Sequence, residues 1–250
     1  MKVTILGCGT SGGVPRIGNV WGRCDPLNPK NRRRRVSILV ESATTKILVD
    51  TSPDLREQCL DADIRHLDAV LYTHDHADHT HGIDDLRGLM HCMGKRIDVH
   101  ANAATLAVLR KRFDYVFESQ GGYPAICDAH EITGPFRVGD IEVTPFEQIH
   151  GDITSLGFRF GPVAYSTDLN ELPEAARNVL RGVDLWIVDA LRYDPHPTHP
   201  HLDLTLEWIA DVKPRRAILT HMTWDMDYEE LRQRLPPGVE PAYDGLVVEL

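Results

Sequence analysis

Thr73-His74-Asp75-His76-Ala77-Asp78-His79 packs three imidazoles and two carboxylates into seven residues, directly after the apolar run Ala69-Val70-Leu71-Tyr72. A strand that stops so abruptly in His and Asp is costly to fold. Burying these groups together is unfavourable unless a cation organises them. The spacing H-x-H-x-D-H, with Asp75 as an added carboxylate, therefore reads as half of a metal site, and as a dinuclear one. A polar loop is the weaker reading. The remaining ligands have to come from elsewhere in the chain.

Four other apolar runs end the same way. Ile47-Leu48-Val49 stops at Asp50, Ala164-Tyr165-Ser166-Thr167 at Asp168, Leu185-Trp186-Ile187-Val188 at Asp189, and Ala217-Ile218-Leu219-Thr220 at His221. Aligned strands deliver such groups to one edge, where α/β architectures gather their chemistry. His74 and His76, two apart in extended backbone, face the same side and suit one ion. Asp78 and His79 turn toward a second. His150, after the strand-like Val143-Thr144-Pro145-Phe146, is expected to complete the first ion and His221 the second, with Asp168 bridging. Two divalent ions so placed would hold a hydroxide at neutral pH, which serves hydrolysis. Imidazole and carboxylate ligands suit Zn²⁺ or Mn²⁺ alike. Asp50 is expected to accept a hydrogen bond from a ligand or bound water. His66 and His130 read as surface residues.

His196-Pro197-Thr198-His199-Pro200-His201 is a second imidazole cluster, stretched by its prolines. His201, just before a helix, is expected to protonate the leaving oxygen, with His196 and His199 in a solvated loop. Near the start, Gly7-Cys8-Gly9-Thr10-Ser11-Gly12-Gly13-Val14-Pro15 can offer backbone N–H groups to an anion, but matches neither the P-loop nor the dinucleotide spacing. Ser11 and Gly12 are taken as substrate contacts. So is Arg34, from the run Arg32-Arg33-Arg34-Arg35, since guanidinium matches phosphate oxygens.

The 250 residues, 42% hydrophobic and 26% charged, are ordinary for a globular protein. Strands are expected over 3–6, 36–41, 46–50, 97–100, 141–145, 155–160, 163–166, 185–188, 217–219 and 245–248. Helices are expected over 53–60, 84–90, 103–113, 173–181, 204–212 and 228–235, and 114–135 reads as a loop excursion. No linker divides residues 1–250, so a single domain is expected. No apolar run reaches membrane-spanning length, and no secretory signal is recognisable. The five cysteines form no C-x-x-C pair, which fits a reducing cytoplasm. A formal charge of −10 disfavours a stable nucleic-acid partner.

The motif at 73–79, followed in order by His150, Asp168 and His221, resembles the metallo-β-lactamase fold superfamily. The resemblance covers nearly the whole chain and implies an α/β fold, a four-layer αββα sandwich with metals at one edge of two sheets. Within it, the segment from Gly9 to Pro15, the arginine run before Val36-Ser37, and His201-Leu202-Asp203-Leu204 resemble the cyclic-phosphate phosphodiesterases of the carbon–phosphorus lyase pathway. That likeness implies a dinuclear phosphodiesterase on small nucleotide or ribose phosphates, cyclic ones included, working as a homodimer. His201 matches the histidine proposed there to assist the leaving group. One departure is clear: the family often carries a structural zinc on closely spaced cysteines, whereas here Cys24 stands alone and Trp224 is near the expected histidine. The alternatives are a thioesterase of the hydroxyacylglutathione hydrolase type and a nuclease like those processing transfer-RNA 3′ ends.

Overall fold

The computed structural model describes residues 1–250. Strands β1 (Lys2–Gly7), β2 (Ser37–Glu41), β3 (Lys46–Val49), β4 (Ala69–Leu71), β5 (Ile97–Ala101) and β6 (Cys127–Glu131) belong to a first sheet. A second holds β7 (Phe136–Val138), β8 (Ile141–His150), β9 (Ile153–Phe160), β10 (Val163–Ser166), β11 (Leu185–Asp189), β12 (Arg216–Thr220) and β13 (Val239–Pro241). The last strand, β14 (Val247–Glu249), returns to the first sheet beside β1. The helices are α1 (Leu55–Asp61), α2 (Ala77–Thr80), α3 (Leu86–Met93), α4 (Ala103–Arg112), α5 (Asp114–Phe117), α6 (Glu174–Leu180), α7 (Leu202–Val212) and α8 (Tyr228–Arg234).

The period-2 alternation of the strands builds the layers. Ile38, Val40, Ile47, Val49, Ala69 and Leu71 face inward and share one core with Phe158, Phe160 and Tyr165 of the second sheet. The alternate residues Leu39, Leu48, Val70 and Tyr72 face outward onto Leu55, Leu86, Met90 and Leu109 of α1, α3 and α4. On the far side, Leu180, Trp208, Ile209 and Leu231 carry α6, α7 and α8 onto the second sheet. The result is the expected αββα sandwich. Central strands buried on both faces, such as β4, read as unbroken apolar runs for this reason.

β3 to β6 run parallel, as do β10 to β13. Parallel neighbours need crossovers, and helices supply them. The carboxyl ends of β3, β4, β10, β11 and β12 therefore finish along one edge, where Asp50, His74, Asp168, Asp189 and His221 stand.

The sequence reading misses three strands. β6 lies inside the expected loop at 114–135, and its CDAHE sequence, largely exposed, carries no hydrophobic alternation. β7 and β13 are three-residue edge strands. β8 also runs past its expected end to His150. Pro145 is tolerated because pairing with β7 stops at Val143, so no ladder bond on that side needs its missing N–H. No helix is long and apolar enough to cross a membrane.

Candidate metal centre

Backbone geometry at the strand ends is unusual. Asp50, Asp168 and His221 adopt left-handed φ values of 63°, 53° and 58°. Non-glycine residues hold that conformation at a cost, and such strain concentrates where side chains must be aimed. After His76 the chain leaves extended geometry and makes the single turn of α2, which swings His79 back under His74, ring centroids 4.3 Å apart.

Each of four imidazoles has one nitrogen pinned by the protein. His79 Nδ1 donates to Asp50 Oδ2 at 2.7 Å, and His150 Nδ1 donates to the Thr198 carbonyl at 2.7 Å. The Thr73 hydroxyl gives its proton to Asp50 Oδ2 at 2.9 Å and so accepts from His74 Nδ1 at 3.0 Å. His199 Nδ1 donates to Asp189 Oδ2 at 2.9 Å. In the neutral imidazoles of His74, His79 and His150 the second nitrogen is then the lone pair, the form that ligates metal.

These lone pairs converge on Asp168. Its Oδ1 lies 3.1 Å from His79 Nε2 and 3.3 Å from His221 Nε2. Its Oδ2 lies 3.7 Å from His74 Nε2 and 3.6 Å from His150 Nε2. His150 Nε2 and His76 Nδ1 face each other at 3.3 Å, and Asp78 Oδ2 is 3.5 Å from His79 Nε2 and 3.6 Å from His221 Nε2. His74 Nε2, His79 Nε2 and His221 Nε2 are buried without any hydrogen-bond partner. Such orphans are destabilising in a plain protein interior. Ligands at 2.0–2.1 Å from a tetrahedral ion would stand roughly 3.3 Å apart, which is the spacing seen. The donor set thus fits divalent cations. His74, His76, His150 and Asp168 form one group able to hold an ion, and Asp78, His79 and His221, reached by Asp168 Oδ1, form another.

Charge follows the same division. Burial pushes His221 down, but the Asp168 and Asp189 carboxylates outweigh it and lift its pKa to about 9. His79 is held well above the usual imidazole range, since Asp168, Asp78 and Asp50 overcome its burial. Asp168 is held well below the carboxylate range, its burial outweighed by His221, His79 and His199. His74 is driven well below by burial and then by neighbouring His79.

His199 departs from the sequence reading. It is no solvated loop residue: its side chain is 11% exposed, its ring stacks on His221 at 4.8 Å, and its Nε2 is 3.7 Å from Asp168 Oδ2. It also belongs to a further potential ligand group with Asp168, Asp189 and His221. Its anchor is the strand-end residue Asp189, which the sequence reading left without a role. His201 instead occupies the N-cap position of α7 without a side-chain capping bond, and no ring contact, ion pair or hydrogen bond joins its side chain to the cluster.

The arginine run is also placed elsewhere. Arg33 is buried and donates to the carbonyls of Thr223 (3.0 Å) and Met226 (2.6 Å). Arg34 pairs with Asp61 at 2.7 Å and Arg35 with Asp54 at 3.0 Å. Arg34 thus departs from its expected role: it lines a cavity of about 710 Å³ over the outer face of β1 and β2, and none of the clustered imidazoles lines it. Ser11 and Gly12 are exposed, in a turn tied to the residue after His221 by Thr10 N donating to Met222 O at 3.3 Å.

Comparison with known proteins agrees with this geometry. The crystal structure of a new diphosphatase from the PhnP family superposes with a TM-score of 0.91 at 37% identity, covering 100% of this chain and 97% of that one. An octanoyltransferase of Porphyromonas gingivalis is 34% identical over 98% of this chain and 51% of its own length. A ribonuclease Z of a Bradyrhizobium strain is 29% identical over 53% of this chain and 46% of its own. The chain thus spans about half the length of the curated relatives it matches. The family model described as the beta-lactamase superfamily domain matches residues 45–222, a span holding every clustered imidazole and carboxylate. The chain therefore belongs to the metallo-β-lactamase superfamily, near its PhnP branch.

Proposed function

We propose that this protein hydrolyses small phosphodiesters, among them cyclic nucleotide or ribose phosphates, and the phosphoanhydride links of diphosphates, using two zinc or manganese ions that His74, His76, Asp78, His79, His150, Asp168 and His221 would hold. The observation that carries this reading is the division of Asp168: Oδ1 toward His79 and His221, Oδ2 toward His74 and His150. Two divalent ions supply an activated water and a Lewis acid for a phosphoryl oxygen at neutral pH. The chain's own residues do the rest. Asp50, Thr73 and Thr198 fix the tautomers of His79, His74 and His150, so the lone pairs are aligned before substrate arrives. His76, Asp78 and His221 complete the ligand set. His199, held by Asp189 through Nδ1, takes the role expected of His201: as the imidazolium it gives its Nε2 proton to the leaving oxygen and is left as the neutral Nδ1–H tautomer. Ser11 and Gly12 are exposed, and the amides of their turn would receive developing charge.

The diphosphatase and the ribonuclease Z relatives support phosphoester chemistry. A transfer-RNA substrate is the poorer match for a chain of net charge −10. A second reading, hydrolysis of an acyl thioester on the same centre, draws support from the octanoyltransferase relative. The same proposal takes residues 1–250 as one catalytic domain, acting in the cytoplasm as a homodimer, which light scattering after gel filtration would test. For the reaction, protein loaded with Zn²⁺ or Mn²⁺ is assayed on bis(4-nitrophenyl) phosphate, a five-membered cyclic ribose phosphate, a nucleotide diphosphate ester and an acyl thioester. Turnover of the thioester with no activity on any phosphoester would refute the first reading in favour of the second.

A further inference from the structure

Six arginines occur in the first 35 residues. Arg23 pairs with Glu230 at 2.9 Å, Arg34 and Arg35 have acidic partners, Arg33 is bound to carbonyls, and Arg32 touches none of these. Arg16 is different. No carboxylate lies within ion-pair range of it, yet its guanidinium carbon sits 3.8 Å over the Trp224 ring. Its stem packs on the Gly-rich turn, with Cγ 3.4 Å from where a β-carbon on Gly12 would stand. The indole beneath is equally fixed: a β-carbon on Gly22 would fall 1.9 Å from its Cδ1, and its carbonyl accepts from the amides of Arg23 and Cys24 at 3.0 and 3.2 Å.

Trp224 is three residues past His221, so the backbone beneath the pair lies within at most about 11 Å of that residue's backbone. The turn carrying Gly12 is bonded to the same segment through Cys8 O and Met222 N at 2.9 Å. A guanidinium left without a counter-charge in an acidic protein, and oriented by stacking rather than by an acid, is suited to receive an anion. Its fork takes two oxygens of one phosphate, and the stack lowers the ordering entropy lost on binding.

We propose that Arg16, stacked on Trp224, grips a second phosphate of the substrate, adjacent to the phosphorus under attack. The preferred substrate class is then an ester containing a diphosphate rather than a lone phosphodiester. This rests on the phosphoester reading above and narrows it.

The test compares wild type, Arg16→Gln, Arg16→Lys and Trp224→Ala on a nucleoside-diphosphate sugar and on bis(4-nitrophenyl) phosphate, which has no second phosphate. Loss of a charge-assisted phosphate contact is expected to raise KM for the diphosphate about tenfold or more in Arg16→Gln, with a much smaller effect on kcat. The ratio of kcat/KM between the two substrates should move about tenfold toward the simple diester, in the same direction in Trp224→Ala and by less in Arg16→Lys. Equal losses on both substrates, or an unchanged ratio, would overturn the assignment. Calorimetric titration of metal-free protein with inorganic pyrophosphate gives a readout without turnover: binding should weaken about tenfold in Arg16→Gln. Unchanged binding, or no binding by wild type, would also overturn it. If wild type hydrolyses neither substrate, the phosphoester reading fails, and the pyrophosphate titration still decides the role of Arg16.

Discussion

Asp50→Asn probes the centre from behind its ligands. Asp50 is fully buried and accepts from Thr73 N at 2.9 Å, the Thr73 hydroxyl at 2.9 Å and His79 Nδ1 at 2.7 Å. Asparagine keeps the volume and tolerates the φ of 63° that alanine would adopt only with strain. The substitution therefore removes the charge and alters the hydrogen bonding while keeping the packing. An amide has one acceptor oxygen, so it cannot serve all three donors, and its NH₂ confronts either Thr73 or His79. Charge-assisted hydrogen bonds contribute about 1.5–3 kcal/mol, and carboxylates behind metal-binding histidines typically govern 10–100-fold in affinity. The ion on the His79 side should bind about 10–100-fold more weakly. The ion on the His74 side should lose less, because its link to Asp50 runs only through the Thr73 hydroxyl. Zinc competition against a chromophoric chelator resolves the two steps. Equal weakening of both, or of neither, would refute the claim that Asp50 sets the His79 tautomer.

Removing metal exposes a pH dependence. His221 is lifted to about 9 in the folded protein, against roughly 6.5 for a free imidazole. Its contribution to the stability of chelator-treated protein is complete below about pH 6.5 and is lost as pH rises through about 9. His79 shifts the same way. The Tm of metal-free protein should fall over that window, and a flat profile would contradict the charge pattern described. His199→Asn should lower kcat on a poor leaving group by about 10²–10⁴-fold, while His201→Asn leaves kcat within a few-fold. The reverse order would return the proton-donor role to His201. Gly22→Ala places a β-carbon against Trp224 at a φ of 57°, and overpacking of this kind costs about 1–3 kcal/mol, read as a lower urea midpoint.

The parts of this protein written in a local code were readable in advance. A buried strand announces itself through period-2 apolar runs, and its polar terminus through an abrupt change of chemistry. All five residues picked out by that change, Asp50, His74, Asp168, Asp189 and His221, stand at one edge. The roles of His199 and His201 lie beyond such a code: both are imidazoles beside proline in one extended loop, and only the position of Asp189 separates them. The arginine run was ambiguous for a similar reason. Guanidinium binds phosphate, carboxylate and carbonyl alike, and here Asp61, Asp54 and two carbonyls reach it. β6, β7 and β13 escaped because short edge strands bury too few side chains to impose a pattern.

The left-handed strand ends at Asp50, Asp168 and His221 also bear on how this chain can vary. Glycine enters that conformation freely, asparagine and aspartate at the least cost among the others, and histidine less readily. A change from aspartate to glutamate, ordinarily mild, would here meet the backbone before it met the metal. Mutational drift at these three positions is confined to a small alphabet by torsion alone. A library that randomises them should return that alphabet under selection for folding even when no selection for activity is applied.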